Sequence, residues 1–189
     1  MALSDIGLCA RALVRLGAAP VISFNDGTAE SDIAGILYTP ARDALLSAYP
    51  WSFASGQVAL TRLEQAPAAD YAYAYQLPND FLRAVSAGGG GKGQGTRYRI
   101  TRGQLQCDAP EVMLSYIFRV PEEEFPAWFD NALIARLAAE FCIPVTENTS
   151  RADSLHRLAQ QEFARARQID AQQDTPNRLE RFPLIDVRG

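Results

Sequence analysis

The sequence changes its periodicity within one stretch, "ARDALLSAYPWSFASGQVAL", residues 41–60. Up to Ala48 the apolar residues recur at steps of three and four, as they do on one face of an α-helix. From Gln57 the step becomes two, which is typical of a β-strand. Trp51 and Phe53 lie at this junction, and we expect both to be buried because large aromatic side chains dominate core energetics. The stretch therefore predicts a helix that leads into a β-region.

Helical spacing covers four segments, and period-two alternation covers the stretch between the second and the third. The predicted helices run over about 3–17, 29–48, 123–143 and 150–172, and the predicted β-region over about 57–119. Within the β-region, "ITRGQLQ" predicts a hairpin that turns at Arg102 and Gly103. These patterns predict an α+β fold: a helical bundle of about four helices with an inserted antiparallel β-region.

Capping residues, prolines and acidic residues indicate where these helices begin and end. The expected N-caps are Ser4 or Asp5, Thr28 and Ser150, and the expected ends are Gly17 and Pro144. Pro40 lies inside the second helical segment, so either that helix kinks or two shorter helices meet there. The acidic run 122–124 is expected at the head of the third helix, where the helix dipole favours negative charge.

Length and composition indicate one soluble unit. A chain of 189 residues can bury one substantial core, and its net charge of −4 is mildly acidic. No segment has the roughly eighteen uninterrupted apolar residues of a membrane helix. The N-terminal stretch lacks a basic region ahead of an apolar one, so we expect no signal peptide and a cytoplasmic origin. Cys9, Cys107 and Cys142 are far apart, which favours buried thiols over disulfides or zinc.

The glycine-rich stretch "SAGGGGKGQGTRYRI", residues 86–100, resembles a phosphate-binding loop only superficially. A P-loop requires G-x-x-x-x-G-K-[ST] followed by a helix. Here Gly93 follows Lys92 where a hydroxyl residue is needed, Ser86 occupies the position of the first glycine, and the residues after the loop alternate like a strand. The simplest interpretation is a linker between two strands, and we expect no nucleotide-dependent thermal shift.

No set of residues predicts catalysis. General acid–base or nucleophilic chemistry usually requires a histidine next to a nucleophile, and the chain has one histidine, His156, within a mostly polar helical segment. We therefore predict a protein that is not an enzyme, with no catalytic residues, no cofactor and no metal site.

One charge feature is notable. The stretch from residue 83 to residue 102 contains five basic residues and no acidic one: Arg83, Lys92, Arg97, Arg99 and Arg102. This basic hairpin can meet phosphates, contact an acidic patch on a neighbouring subunit, or remain a solvated loop.

The C-terminal stretch 174–189, "DTPNRLERFPLIDVRG", contains two prolines and no periodicity, yet it is rich in large apolar residues. These residues are Leu179, Phe182, Leu184, Ile185 and Val187. A purely disordered tail would be poorer in such residues. The stretch is therefore either a docking arm that binds a partner or a segment that packs on its own domain.

The run R-x-x-L-L-x-x-x-x-W-x-F-A that begins at Arg42, followed by "YQLPNDFLR", resembles the tail tubular protein A and head-to-tail adaptor family of short-tailed phages and related particles. The resemblance extends over nearly the whole chain. Its motif residues are Arg42, Leu45, Leu46, Trp51, Phe53, Ala54, Leu60, Leu77, Pro78, Asp80 and Arg83. They are packing and turn residues, so they indicate a scaffold more strongly than any single contact.

The resemblance implies a structural virion protein that assembles, usually as twelve copies, into a ring between the portal and the tail nozzle. Residues 1–173 would form a single adaptor domain, and 174–189 would form an arm that docks on the portal protein. The ring would provide a DNA conduit without sequence-specific binding, and a mildly acidic chain suits that role because a basic lumen would hold phosphates. The implied location is the neck of the virion, with assembly in the host cytoplasm and no membrane contact.

Two other classes remain open at this point. A regulator that binds nucleic acid through the basic hairpin 83–102 would show salt-dependent DNA binding as an isolated monomer. An enzyme that uses the glycine-rich loop would show measurable nucleotide binding.

Overall fold

Helices and two small antiparallel sheets form the part of the chain that the computed structural model describes, residues 3–173. The α-helices of this part are α1 (Asp5–Arg15), α2 (Ala29–Ser47), α3 (Ala127–Thr146) and α4 (Thr149–Asp170). Its strands are β1 (Ser55–Ala59), β2 (Tyr73–Gln76), β3 (Phe81–Gly88), β4 (Tyr98–Thr101), β5 (Gln104–Cys107) and β6 (Met113–Phe118). The predicted α+β fold is confirmed. The predicted docking arm, 174–189, lies outside the described residues.

The helix α3 is the centre of the bundle, because α1, α2 and α4 all pack against it. Its buried residues are distributed around the helix instead of along one stripe, as expected for a helix that is surrounded by others. The largest of them are Phe129, Leu133, Leu137 and Phe141. Together with the buried faces of α1 and α2 they form the first hydrophobic core.

Trp51 fills the junction between α2 and β1. Its side chain is 0 % exposed, and its Nε1 donates a hydrogen bond to the carbonyl oxygen of Leu45 at 3.0 Å. Four aromatic rings have centroids within 5.0–5.6 Å of its own: Tyr49, Trp128, Phe129 and Phe163. The predicted burial of Trp51 is confirmed. Phe53 packs on the same cluster but is only partly buried, so its predicted burial is confirmed only in part.

Three of the predicted helix starts and ends are confirmed. Ser4 and Thr28 accept hydrogen bonds from the amides of Gly7 and Ser31 and so cap α1 and α2. Gly17 follows the end of α1 with φ +74°, a conformation that glycine adopts without strain.

The helix α2 runs through Pro40 as one element, which excludes the alternative of two shorter helices. Two other predicted helix boundaries are wrong. The helix α3 runs past Pro144 to Thr146, because a proline in the last turn removes only one hydrogen bond. The N-cap of α4 is Asn148, one residue before the helix, and not Ser150.

The acidic run 122–124 does not begin α3. It forms a separate 3-10 turn, and the extended backbone of Pro126 delays the start of the helix to Ala127. The prediction that these carboxylates complement the dipole of α3 is therefore wrong.

The six strands form two three-stranded antiparallel sheets. The strand order is β1-β6-β3 in the first sheet and β2-β5-β4 in the second. The predicted hairpin is confirmed: β4 and β5 pair around Arg102 and Gly103, both with positive φ, which matches the twist of a tight hairpin. Buried side chains of both sheets, including Tyr75, Leu105 and Leu114, form the second hydrophobic core.

The strand β6 joins the two cores. Leu114 and Tyr116 on one of its faces belong to the core between the sheets, whereas Ile117 on the other face belongs to the helical core. Phe118 packs against both. The β-region is therefore attached to the helical bundle through packed side chains as well as through the backbone.

Candidate functional site

The residues that carry the family resemblance, from Arg42 to Arg83, are called the scaffold motif below. An ion-pair network surrounds the first of them, Arg42. Arg42 in α2 donates to Glu122 Oε1 at 2.6 Å, and the Tyr38 hydroxyl donates to the same oxygen at 2.8 Å. Burial acts to raise the pKa of Glu122, but the hydrogen bonds from Arg42 and Tyr38 outweigh it and hold that pKa below its ordinary value. Glu122 therefore ties the 3-10 turn to α2.

The same network extends to Pro78 and Asp80, which belong to the later part of the scaffold motif. Asp43 pairs with Arg119 at 2.7 Å, and the backbone amide of Arg119 donates to the carbonyl oxygen of Asp80 at 2.8 Å. The Tyr116 hydroxyl also donates to Asp80 Oδ1 at 3.3 Å. Pro78 begins this turn, its carbonyl oxygen accepting from the amide of Phe81. Arg42, which pairs with Asp43 at 2.9 Å, is therefore linked to Asp80 through Arg119, beside the end of β6.

One carboxylate within the bundle lacks a partner. The Oδ1 atom of Asp130, in the first turn of α3, is buried without a hydrogen-bond partner among residues 3–173. Burial raises the pKa of Asp130 to about 6, although the charge of Arg11 acts in the opposite direction. At neutral pH the fold therefore carries an incompletely solvated charge at this position.

We expect Asp130→Asn to stabilise the protein at pH 7 and not at pH 4. The pKa of Asp130 is about 6 in the folded protein against an ordinary value of 3.8, so this group stabilises the fold fully below pH 3.8 and the contribution is lost as the pH rises through 6. After allowance for partial exposure and the helix dipole, the gain at pH 7 should be about 1 kcal/mol. Denaturant unfolding at both pH values measures it.

The matched control is Asp153→Asn, because Asp153 is an exposed carboxylate in the corresponding part of α4. It should not reproduce the gain that Asp130→Asn gives at pH 7. A gain for Asp130→Asn that is the same at pH 4 and pH 7 would show that loss of the charge is not its cause.

The five residues of the predicted basic hairpin are all exposed, but they are divided between two sheets and the loop that connects them. Arg83 is on β3 in the first sheet, whereas Arg99 is on β4 and Arg102 on the β4–β5 turn in the second. Lys92 and Arg97 are in the loop that connects the sheets. The sequence run therefore extends over two sheets and a loop and is not one hairpin.

Arg99 is already paired. Its Nη1 donates to Asp70 Oδ2 at 2.9 Å and its Nη2 donates to Gln106 Oε1 at 3.3 Å, while its guanidinium carbon lies 5.4 Å from the ring centroid of Tyr71. Asp70 lies thirteen positions before Arg83, the first residue of the basic run, so the run itself does not reveal that this carboxylate pairs with Arg99. The positive charge available to a polyanion is correspondingly smaller than the run suggests.

The glycine-rich loop, residues 89–97, connects β3 to β4, so no helix follows it and the context of a P-loop is absent. The loop folds back on the first sheet: the Gly93 carbonyl oxygen accepts from the hydroxyls of Ser86 and Ser115 at 2.7 and 3.3 Å. A Cβ at Gly88 would overlap the Lys92 carbonyl oxygen, so only glycine fits there. The glycines thus allow a tight packed turn.

Hydrogen bonds between Asp170 and Ser52 form a long-range clamp that holds the end of α4. Asp170 is 3 % exposed and accepts hydrogen bonds from the backbone amide and the hydroxyl of Ser52, the latter at 2.6 Å. Because Ser52 adjoins Trp51, the clamp fixes the end of α4 beside the aromatic cluster. Sequence reasoning missed Asp170, Glu122 and Asp70 alike, since each has its partner far along the chain.

The described residues offer no metal cluster of three or more histidine, cysteine or acidic side chains. His156 is a partly buried residue of α4, lining a shallow groove with Arg136 and Phe163. The three cysteines are free and buried, as predicted, and burial, with a smaller effect of Asp5, raises the pKa of Cys9 to about 12. The Cys9 thiol is therefore a poor nucleophile.

Comparison with known proteins identifies no family. No protein-family model matches the sequence, and no match was found among the curated proteins. Among the helices of residues 3–173, none is both long and apolar enough to cross a lipid bilayer. The five apolar residues predicted to form the docking arm, Leu179, Phe182, Leu184, Ile185 and Val187, lie outside the described residues.

Proposed function

We propose that the protein is a structural head-to-tail adaptor that forms a ring between a portal and a tail nozzle and provides a conduit for DNA. It would act in the neck of a virion, after assembly in the host cytoplasm. The proposal includes self-association into a ring, with twelve copies as the family's usual number, contact with the portal and nozzle proteins, and no enzymatic activity.

The observation that carries this proposal is the position of the scaffold motif. Arg42, Trp51 and Asp80 lie where the helical bundle meets the β-region, and ionic, aromatic and backbone contacts fix that junction. Such a junction keeps one part of a subunit rigidly oriented relative to another. A ring subunit needs this property, because a head-to-tail interface closes only if every copy repeats the same rotation.

The surface charges are compatible with a conduit. Arg99 is paired with Asp70, and the remaining basic residues of the run are distributed over two sheets and a loop. A basic run that is spread in this way binds few phosphates at once, and the affinity for DNA rises with the number of phosphates neutralised. The same observation disfavours the alternative, a nucleic-acid-binding regulator that uses residues 83–102.

Electron microscopy of the purified chain, alone and mixed with candidate portal assemblies, tests the proposal. The expected result is a ring of this chain stacked coaxially on a portal ring, with an unrelated ring-forming protein as the negative control. A chain that stays monomeric with every portal and binds DNA with a steep salt dependence would contradict the adaptor proposal and support the regulator.

A further inference from the structure

The solvent-facing side of α2 carries little charge over most of its length. None of residues 33–41 is charged, and the exposed residues among them are Gly35, Ile36, Thr39 and Pro40. Ile36 is 72 % exposed. We call these four residues the α2 face. A surface helix normally turns charged and polar side chains toward solvent, so an apolar solvent side is typical of a helix that another surface covers.

A shallow depression lies between α1 and α3. Its apolar walls are Ala10, Val14 and Ile134, and Arg11 and Arg15 stand beside them. Val14 is 58 % exposed. We call this surface the α1–α3 depression. It is the second place in the helical bundle where an apolar side chain of α1 or α2 is directed to solvent.

The α2 face and the α1–α3 depression lie on different sides of α3. Ile134 lines the depression beside α1, whereas Arg136 lines a groove beside Ala41 and Ala44 of α2. At 3.6 residues per turn, the two positions that separate Ile134 from Arg136 correspond to a rotation of about 200° around the helix. One copy therefore cannot cover its own depression with its own α2 face, but a second copy can.

Charges of opposite sign flank the two surfaces. Glu30 and Asp32 lie in the first turn of α2, and residues 16–41 contain no basic residue. At the depression, Arg151 adds a third positive charge to those of Arg11 and Arg15, because its Nη2 donates to the carbonyl oxygen of Arg15 at 3.1 Å. The ion pairs found among residues 3–173 include none of these five side chains.

Local effects account for only part of this charge pattern. The dipole of α2 favours carboxylates in its first turn, and the charge of Asp130 interacts with that of Arg11. Neither effect explains why an apolar surface adjoins each group of charges. A contact between two copies explains both the apolar surfaces and their opposite charges.

We propose that the α2 face of one copy binds the α1–α3 depression of a second copy. Ile36 covers Val14, and the acidic start of α2 faces Arg11 and Arg15. Burial of the apolar side chains supplies affinity, and the charges select the orientation. This inference rests on the proposed function, in which copies of the chain assemble, and it names the surfaces that meet.

The charges favour a head-to-tail contact over a two-fold one. A two-fold axis through the α2 face would place Asp32 near its own counterpart, so that like charges oppose each other. A head-to-tail contact joins an acidic surface to a basic one and leaves one surface of each kind free on every pair. Such contacts continue from copy to copy and close into a ring when the rotation permits it.

Disulfide cross-linking of the full chain tests the inference. A chain that carries both Val14→Cys and Ile36→Cys should give a ladder of oligomers on a non-reducing gel after mild oxidation, because a disulfide forms only where the Cα atoms approach within about 7 Å. Each single variant should stay monomeric, and an equal mixture of the two single variants should give dimers and nothing larger. The native cysteines are buried and should not contribute.

Ile36→Cys combined with Val85→Cys is the matched control. Val85 is 47 % exposed, which is close to the exposure of Val14, but it lies on β3 in the first sheet. This pair should give no ladder.

Charge reversal tests the pairing of the two surfaces. Arg11→Glu with Arg15→Glu in the Val14→Cys chain should slow its cross-linking to the Ile36→Cys chain about tenfold, because like charges then oppose each other. Adding Glu30→Arg with Asp32→Arg to the Ile36→Cys chain should restore the rate. Circular dichroism shows whether each variant is folded.

The inference is overturned if the Val14–Ile36 cysteine pair gives no ladder, either alone or in rings formed on portal assemblies. It is equally overturned if Ile36→Cys alone gives dimers, if the control pair cross-links as fast, or if folded charge-reversed chains do not regain the rate. Rings that form on a portal without this cross-link would leave the adaptor proposal intact. Absence of both the cross-link and any ring would overturn the two proposals together.

Discussion

Trp51→Ala is expected to lower the free energy of unfolding by about 3–5 kcal/mol, as large-to-small substitutions of fully buried aromatic residues do. The Trp51 side chain is 0 % exposed and contacts rings from α3 and α4 as well as from its own segment. Removal of the indole leaves a cavity that these rings cannot fill without leaving their own packing. Because the cluster lies at the junction of helices and sheets, the loss should affect the whole domain.

Urea unfolding followed by circular dichroism measures this loss. Trp51→Phe keeps an aromatic ring but removes the bond from Nε1 to the Leu45 carbonyl oxygen, so we expect about 1–2 kcal/mol. Ile36→Ala is the control, because Ile36 is 72 % exposed and its truncation should cost less than about 0.5 kcal/mol. Equal melting temperatures for Trp51→Ala and the wild type would contradict the scaffold interpretation.

The elements of this fold that the sequence predicts well are those that local rules determine. The change of period between Ala48 and Gln57 predicts the transition from α2 to β1, and Gly103 predicts the turn of the β4–β5 hairpin. The caps at Ser4 and Thr28 follow from the residues that immediately flank the helices. In each case the interacting groups are separated by only a few positions, so the pattern and the structure express the same local physics.

The sequence fails to predict features that depend on contacts between distant parts of the chain. The partner of Glu122 is Arg42, 80 positions away, and the partner of Asp170 is Ser52, 118 positions away. A run of three glutamates has the same appearance whether it begins a helix or pairs with another element. The orphaned Oδ1 of Asp130 likewise results from burial by neighbouring elements, which periodicity does not register.

The basic run illustrates the same difficulty at the candidate sites. Residues 83–102 form one block in the sequence, but the fold distributes their side chains over two sheets and brings Asp70 to Arg99.

Truncation after Gln173 is expected to abolish portal binding while leaving the domain folded. The removed stretch contains Pro176 and Pro183, which disfavour regular structure, together with five large apolar residues that favour burial. Binding to a partner satisfies both tendencies. Each large side chain that a partner covers completely contributes roughly 1.5–3 kcal/mol before the ordering cost, and repetition around a ring multiplies the effect.

The shortened chain should keep its melting temperature, because the clamp between Asp170 and Ser52 and both hydrophobic cores lie within residues 3–173. A pull-down with portal rings compares it with the full chain and with a full-length variant in which the five apolar residues of the arm are replaced by serine. That variant keeps the length and charge of the arm, so it should lose binding as the truncation does, because the apolar side chains are the proposed contacts. If the truncated chain unfolds, the segment belongs to the domain core; if it still binds the portal, the docking surface lies within residues 1–173.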